Sequence, residues 1–205
     1  MEKTIFDKIV NWSTERNIIT AGKPSGQVLK VMEEMGEIAG GVARNKLDLI
    51  KDAVGDVLVI MTNVAKMYGV EPSSVITFDE DERGGHFEWS AGTIGLIADM
   101  YAFWGEAFSL VEDHDVERNF TDLDTVYYPV LNILYEIARR YNFTLQEAIE
   151  ASYDEIKDRK GVFYNDVFVK EADFTPAWAV ETLADKGLSM SARGYLSHWL
   201  ARQAG

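Results

Sequence analysis

The sequence predicts an all-α protein, a helical bundle carrying a helical C-terminal extension. Three observations lead there. Apolar residues recur at steps of three and four along most of the 205 residues. Only 4 Pro interrupt the chain. Hydrophobic residues at 47% and charged residues at 26% are the proportions of a soluble globular chain rather than a disordered one. A chain of this length fills one core, expected over residues 1–171, with 172–205 as an appended segment.

Taken in order, Ile5, Ile9, Val10 and Trp12 mark a first helix from Thr4 to about Arg16, and Ala21-Gly22-Lys23-Pro24-Ser25-Gly26 breaks it into a loop. A second helix from about Gly26 to Asn45 presents Val28, Val31, Met32, Met35, Ile38, Ala39 and Val42 on one face. A third follows after a very short turn, which makes the two antiparallel neighbours. Its face is Ile50, Val54, Val57, Met61, Val64 and Tyr68, and Gly69 stands where a helix ends. Glu71 to Ser90 reads as a long loop. The fourth helix, about Ala91 to Val111, is expected to bury Ile94, Ile97, Ala98, Tyr101, Trp104 and Phe108. After a polar loop from Glu112 to Asp122, a fifth helix, about Leu123 to Tyr141, buries Val130, Ile133, Leu134, Ile137 and Ala138. Thr144 and Glu147 form a capping box for a sixth, with Leu145, Ala148, Ile149, Ser152 and Ile156 on one face. Val162 to Lys170, rich in aromatic and β-branched residues, suits an extended segment. Trp178, Leu183, Leu188, Tyr195, Leu196 and Trp199 are spaced as one or two short helices.

Composition narrows the function. With 34 acidic against 20 basic residues, a net charge of −14 argues against a nucleic-acid groove, which needs clustered Lys and Arg. The absence of Cys excludes disulfides, thiolate metal sites and a cysteine nucleophile. Glu2, Lys3, Asp7 and Lys8 leave no apolar core for a signal peptide, and no apolar run nears the ~20 residues of a membrane span. A cytoplasmic protein with no membrane partner is the expectation.

The residues that point to chemistry are acidic. Successive helical positions differ by about 100°, so Glu33, Glu34 and Glu37 share one side of the second helix. On the third, Asp52 and Asp56 are a turn apart, with Asn63 close to the same line. Like charges at this spacing oppose helix formation, and burial raises the cost unless something neutralises them. Hard divalent cations do so, since Mg²⁺ takes oxygen ligands and shares carboxylates with phosphates. Gly36, Gly40, Gly41 and Gly55 each cost a helix roughly 1 kcal/mol relative to Ala, which points to close backbone approach beside the acids. A solvated acidic face is the plainer alternative.

Glu33-Glu34-Met35-Gly36-Glu37, followed by Asp52-Ala53-Val54-Gly55-Asp56-Val57-Leu58-Val59, resembles the all-α nucleoside-triphosphate pyrophosphohydrolases, the MazG-like superfamily that includes dimeric dUTPases. The resemblance runs from about Ile18 to Glu171. The stretches Ala151-Ser152-Tyr153-Asp154-Glu155-Ile156-Lys157-Asp158-Arg159-Lys160-Gly161 and Val167-Phe168-Val169-Lys170-Glu171 resemble the C-terminal signature of its phage-encoded members. It implies hydrolysis of the α–β phosphoanhydride of an NTP or dNTP to monophosphate and pyrophosphate. It also implies Mg²⁺, with Mn²⁺ as a substitute, a homodimer or homotetramer of helical bundles, and host cytoplasm if the chain is phage-encoded. Glu34 and Glu37 match the first E-x-x-E pair and Asp56 the last residue of the second pair; where that pair begins with Glu, this chain has Ala53, and Asp52 is the candidate substitute.

Glu34, Glu37, Asp52 and Asp56 are therefore candidate metal ligands, and Glu33 or Glu34 the candidate catalytic base. Lys30, Asn63, Lys157, Arg159 and Lys160 are candidate substrate contacts: the cations for phosphates, Asn63 for a ligand or the sugar. Each has a structural alternative. Lys30 can pair with Glu34, Asn63 can fill a polar gap between helices, and basic residues at a helix C-terminus suit its dipole. Trp89, Trp104 and Tyr101 suit a core better than a base-stacking site, and His86, His114 and His198 read as surface residues. A di-iron bundle is the rival enzyme, but it needs Glu-x-x-His, and Arg83, Val111 and Tyr195 stand three residues before the histidines. The rival outside catalysis is a helical protein that binds a nucleotide or a partner.

Overall fold

The computed structural model describes residues 3–78, 92–113, 123–165 and 167–203, without side chains from 106 to 113. The helices are α1 (Ile5–Glu15), α2 (Ile18–Ala21), α3 (Pro24–Arg44), α4 (Leu47–Met67), α5 (Pro72–Val75), α6 (Thr93–Asp113), α7 (Leu123–Arg140), α8 (Leu145–Ile156), α9 (Pro176–Ala184) and α10 (Met190–Gln203). Two short strands, β1 (Gly161–Tyr164) and β2 (Val167–Lys170), lie between α8 and α9. The fold is all-α, and among the described residues no helix is long and apolar enough to cross a membrane.

α4 organises the bundle. It touches α1, α2, α3, α5, α7 and α8, and nearly every residue from Ala53 to Ala65 is buried. Its apolar character on all sides is what a helix surrounded by others requires. Gly69, at φ +74°, ends it in the left-handed region, where the Val70 N–H reaches back to the Ala65 carbonyl at 2.9 Å. Tyr127 of α7 donates its hydroxyl to the Met61 carbonyl at 2.7 Å and so pins α7 to this helix.

The link between α3 and α4 is two residues long. Asn45 takes φ +51° and the Lys46 N–H closes on the Gly41 carbonyl at 2.8 Å. The helices then run antiparallel: Gly41 lies against Ile50 near the turn, and Gln27 bonds Asn63 at the far end. The Thr144 capping box of α8 is formed, with Glu147 N–H to Thr144 Oγ1 at 3.1 Å and Thr144 N–H to Glu147 Oε2 at 2.9 Å.

Several expectations shift. Ile18–Ala21 adds a helical turn, and α3 begins at Pro24, which suits the first helical position, instead of at Gly26. The segment 71–78, expected as loop, contains α5 and buries Pro72 and Ile76; residues 79–90 lie outside the described residues, as do 114–122, and with them His86, Trp89 and His114. α6 is rotated relative to its expected face. Leu96, Ile97, Met100 and Trp104 are buried, whereas Ile94, Ala98 and Tyr101 are exposed. With apolar residues on both sides of α6, the period gives little contrast from which to choose a face. The Phe108 side chain lies outside the described residues.

β1 and β2 pair antiparallel, Val162 opposite Val169 and Phe163 opposite Phe168. The hairpin bridges two cores. Phe168 meets Trp12 of α1 edge to face, with ring centroids 5.8 Å apart. Val162 instead joins Phe174, Ala179, Leu188, Ala192, Leu196 and Trp199 in a smaller, separate cluster.

Two glycines test the packing in opposite directions. A Cβ on Gly55 would stand 2.1 Å from Ser152 Oγ and 2.3 Å from the Ala148 carbonyl oxygen, whereas one on Gly36 would meet nothing nearer than the Tyr101 hydroxyl at 4.0 Å. Gly55→Ala is expected to cost about 1–3 kcal/mol by overpacking, and Gly36→Ala to be neutral or stabilising by up to about 1 kcal/mol. Urea unfolding of both variants checks the contrast.

Candidate functional site

Both helices carry their acids to the middle of the α3–α4 seam. Seven residues from the Gln27–Asn63 bond along each helix are Glu34 and Asp56, which brings these two opposite one another. Both are half-buried, while Glu33 and Glu37 flank Glu34 on the exposed side of α3. Burial, then the charges of Asp56, Glu37 and Glu33, push the Glu34 carboxyl up to about 8. Burial, then Asp52, pushes Asp56 up to about 6. Asp52 is also raised, by burial and then by Glu155 and Glu37. It borders an open hollow of about 770 Å³ at the α3–α4 turn.

A third wall comes from α8, and sequence reasoning missed it. Gly55 lets α8 approach so closely that Ser152, fully buried, donates Oγ to the Asp52 carbonyl at 3.3 Å. Ser152 also lies close enough to the Asp56 carboxyl to lower it slightly, which partly offsets the upward shift there. One turn on, Glu155 adds its charge to Asp52 and Asp56. The sequence places Ser152 on one face of α8 with Leu145, Ala148, Ile149 and Ile156, and within the signature stretch, without assigning it to the acids. The signal was the spacing itself, because Ser152, Glu155 and Arg159 recur at three and four residues.

The candidate cations divide. Lys30 stands 4.0 Å from Glu33, not Glu34, and still eases the charge on Glu34. Arg159 pairs with Glu155 and eases Asp52 and Asp56. Lys157 turns to Asp154 at 2.7 Å on the outer surface, and Lys160 lines a different cavity with Arg16. Neither is brought to the acids. Asn63 lies on the seam two turns away, about 10.5 Å along α4, and is only 3% exposed. It donates to Gln27 Oε1 at 3.3 Å, while among the described residues its Oδ1 accepts from no partner. Trp104 is core, Tyr101 is exposed beside Gly36, and His198 is exposed on α10. Of the four glycines, Gly55 and Gly41 sit at close approaches, Gly41 with Ile50 Cγ1 2.6 Å from a built Cβ. Gly40 faces only the mobile end of Arg44, and Gly36 open space.

The donor chemistry fits a hard divalent cation: carboxylates from two facing helices, two of them half-buried and pushed upward first by burial and then by neighbouring acids. Among the described residues, no group of three acidic or histidine side chains is already drawn together closely enough to hold an ion. Ala53 is fully buried, so this chain offers no oxygen there.

No family model matches the chain, and no solved structure matches it. Two viral proteins are similar to it. An uncharacterized 18.2 kDa protein in the rep-hol intergenic region of Haemophilus phage HP1 is 40% identical over 67 residues, 33% of this chain and 41% of that protein. Uncharacterized protein L479 of Acanthamoeba polyphaga mimivirus is 22% identical over 133 residues, 58% of this chain and 52% of that protein. The chain therefore spans between two fifths and about half of the relatives it matches. It is related in sequence to a phage protein.

The raised carboxyls set a pH dependence. A carboxyl whose folded pKa exceeds its unfolded value holds extra protons in the native state, so stability falls as pH rises through that interval. For Glu34 the interval runs from 4.5 to about 8 and for Asp56 from 3.8 to about 6. In EDTA, the melting temperature is expected to fall between pH 5 and about pH 8. Glu34→Gln should flatten the upper part of that slope, and an unchanged slope would remove Glu34 as its source.

Proposed function

We propose that the chain is a Mg²⁺-dependent nucleoside-triphosphate pyrophosphohydrolase of the MazG-like type, converting an NTP or dNTP to its monophosphate and pyrophosphate. The observation that carries the proposal is the pairing of half-buried Glu34 and Asp56 across the α3–α4 seam, with too little positive charge beside them. Glu34, Glu37 and Asp56 would hold the metal, with Asp52 in place of the oxygen that Ala53 lacks. A bound Mg²⁺, or Mn²⁺, would supply charge neutralisation for the triphosphate.

The side chains around it have separate tasks. Glu33, exposed on α3 and close to Lys30, would take the proton of an attacking water. Glu34 is less suited to that task without a cation, since near neutral pH it already carries a proton. Lys30 and Arg159 are the two cations positioned to meet phosphate oxygens, each by giving up an acidic partner. Asn63, bonded to Gln27 farther along the same seam, would be the contact to a ligand or the sugar. Ser152 would steady the acid-bearing turn of α4 through its bond to the Asp52 carbonyl.

The outer face of α6 supports assembly as a homodimer or homotetramer. Ile94 is 81% exposed, and Ala98, Tyr101, Ala102 and Gly105 continue the same face without a charge. On a chain of net charge −14, an uncharged apolar strip is a surface on which two copies can meet. Ile94→Asp is expected to shift the sedimentation coefficient toward that of a single chain.

A non-catalytic nucleotide- or partner-binding protein is the second reading, and the buried Ala53 favours it. Incubation with each NTP and dNTP and Mg²⁺, followed by product separation, distinguishes the two. Monophosphate plus pyrophosphate is the expected outcome; no turnover of any nucleotide overturns the enzyme. Glu37→Ala should lower kcat at least about a hundredfold with the fold intact, and Glu33→Gln about 10²–10⁴-fold. Wild-type turnover in Asp52→Ala would remove Asp52 from the ligand set.

A further inference from the structure

We infer that the cavity between the helical bundle and the C-terminal cluster is a binding site for a small phosphate-type oxyanion, separate from the acidic seam. It measures about 240 Å³, and its lining includes Arg16, Asn17, Lys160, Ser191 and Tyr195. Its size is below the usual range for drug-sized ligands, about 300–1,000 Å³, and suits an inorganic ion or a small ester.

The Arg16 guanidinium is fixed before any ligand arrives. Its Nε donates to the Arg159 carbonyl at 3.0 Å and its Nη1 to the Trp12 carbonyl at 3.2 Å, while its carbon stands 4.6 Å from the centre of the Trp12 ring. Among the described residues its Nη2 has no partner, and the Lys160 ammonium has no ion pair. Glu15 is the acidic residue of the lining, mostly exposed, with its carboxylate 3.6 Å from Arg16 Nη1. Two cations against one acid leave the lining positive on a chain of net charge −14.

Neutral donors complete it. Asn17 Nδ2 holds Ser191 Oγ at 3.0 Å, and the Ser191 N–H, in the first turn of α10, has no partner among the described residues. The first turn of this 14-residue helix adds the positive end of its dipole. Donors therefore approach from the α1–α2 junction, from the turn after α8 and from α10. A tetrahedral oxyanion offers an acceptor to each, whereas a planar carboxylate is satisfied by a single guanidinium fork.

The site does not rest on the pyrophosphohydrolase reading. Arg159 and Lys160 are adjacent in sequence yet serve different places, Arg159 beside Glu155 and the acids, Lys160 in this cavity. Calorimetric titration of the full chain in EDTA, with inorganic phosphate and in parallel with ribose 5-phosphate, tests it without a metal. Saturable one-to-one binding that weakens with added NaCl is expected. Lys160→Glu and Ser191→Glu, both at exposed positions, should each weaken it at least about tenfold, and Asp56→Asn should leave it unchanged. Tighter binding of the ester would identify an ester phosphate as the ligand, and equal binding the free ion. No binding of either anion by wild type, equal binding in both charge variants, or loss of binding in folded Asp56→Asn overturns the inference.

Discussion

The two-residue link between α3 and α4 governs what happens at the acids. It leaves these helices no choice but to run antiparallel in one register, fixed near the turn by Gly41 against Ile50 and at the far end by Gln27 against Asn63. In that register Glu34 and Asp56 are obliged to face each other inside the seam. Partial desolvation of both, and then the charge that Asp56 sets against Glu34, is an unavoidable property of the fold. Among the described residues the buried Asn63 Oδ1 on the same seam has no protein partner. The surrounding α1, α7 and α8 hold the pair together against these terms through apolar burial on the other faces of α4.

The contrast between the two glycine classes shows how that burial is arranged. Gly55 removes a side chain so that α8 can lie directly on α4, which carries Ser152 to the backbone and side chain of the acid-bearing turn. Gly36 and Gly40 have no such role. The same residue type at similar spacing therefore means different things, depending on which neighbour the tertiary fold brings up.

That distinction marks the limit of what could be read in the sequence. Helix existence was legible wherever one face was apolar and the other polar: the buried set of α8 and its capping box, and the face of α7, follow directly from residue spacing. The face of α6 was not legible, because Ile94, Ala98 and Tyr101 are as apolar as Leu96, Met100 and Trp104. At the site, the acids on α3 and α4 could be grouped from local geometry alone. The parts that needed tertiary knowledge were missed or misdirected: Ser152 and Glu155 come from a helix far along the chain, and neighbouring Arg159 and Lys160 part company after α8 ends. Local spacing predicts which side chains share a face, but not which faces meet.

The separation in sequence between the two halves of the site has a consequence for how the molecule is made. The α3–α4 hairpin is held by short-range contacts and emerges from the ribosome before α8, whereas the Ser152–Asp52 contact spans 100 residues and waits for α8. Until α8 docks, Asp52 and Asp56 lack that wall and remain more hydrated. The electrostatic penalty of enclosing them is thus deferred to a late step, when the apolar surface of the rest of the bundle is available to offset it.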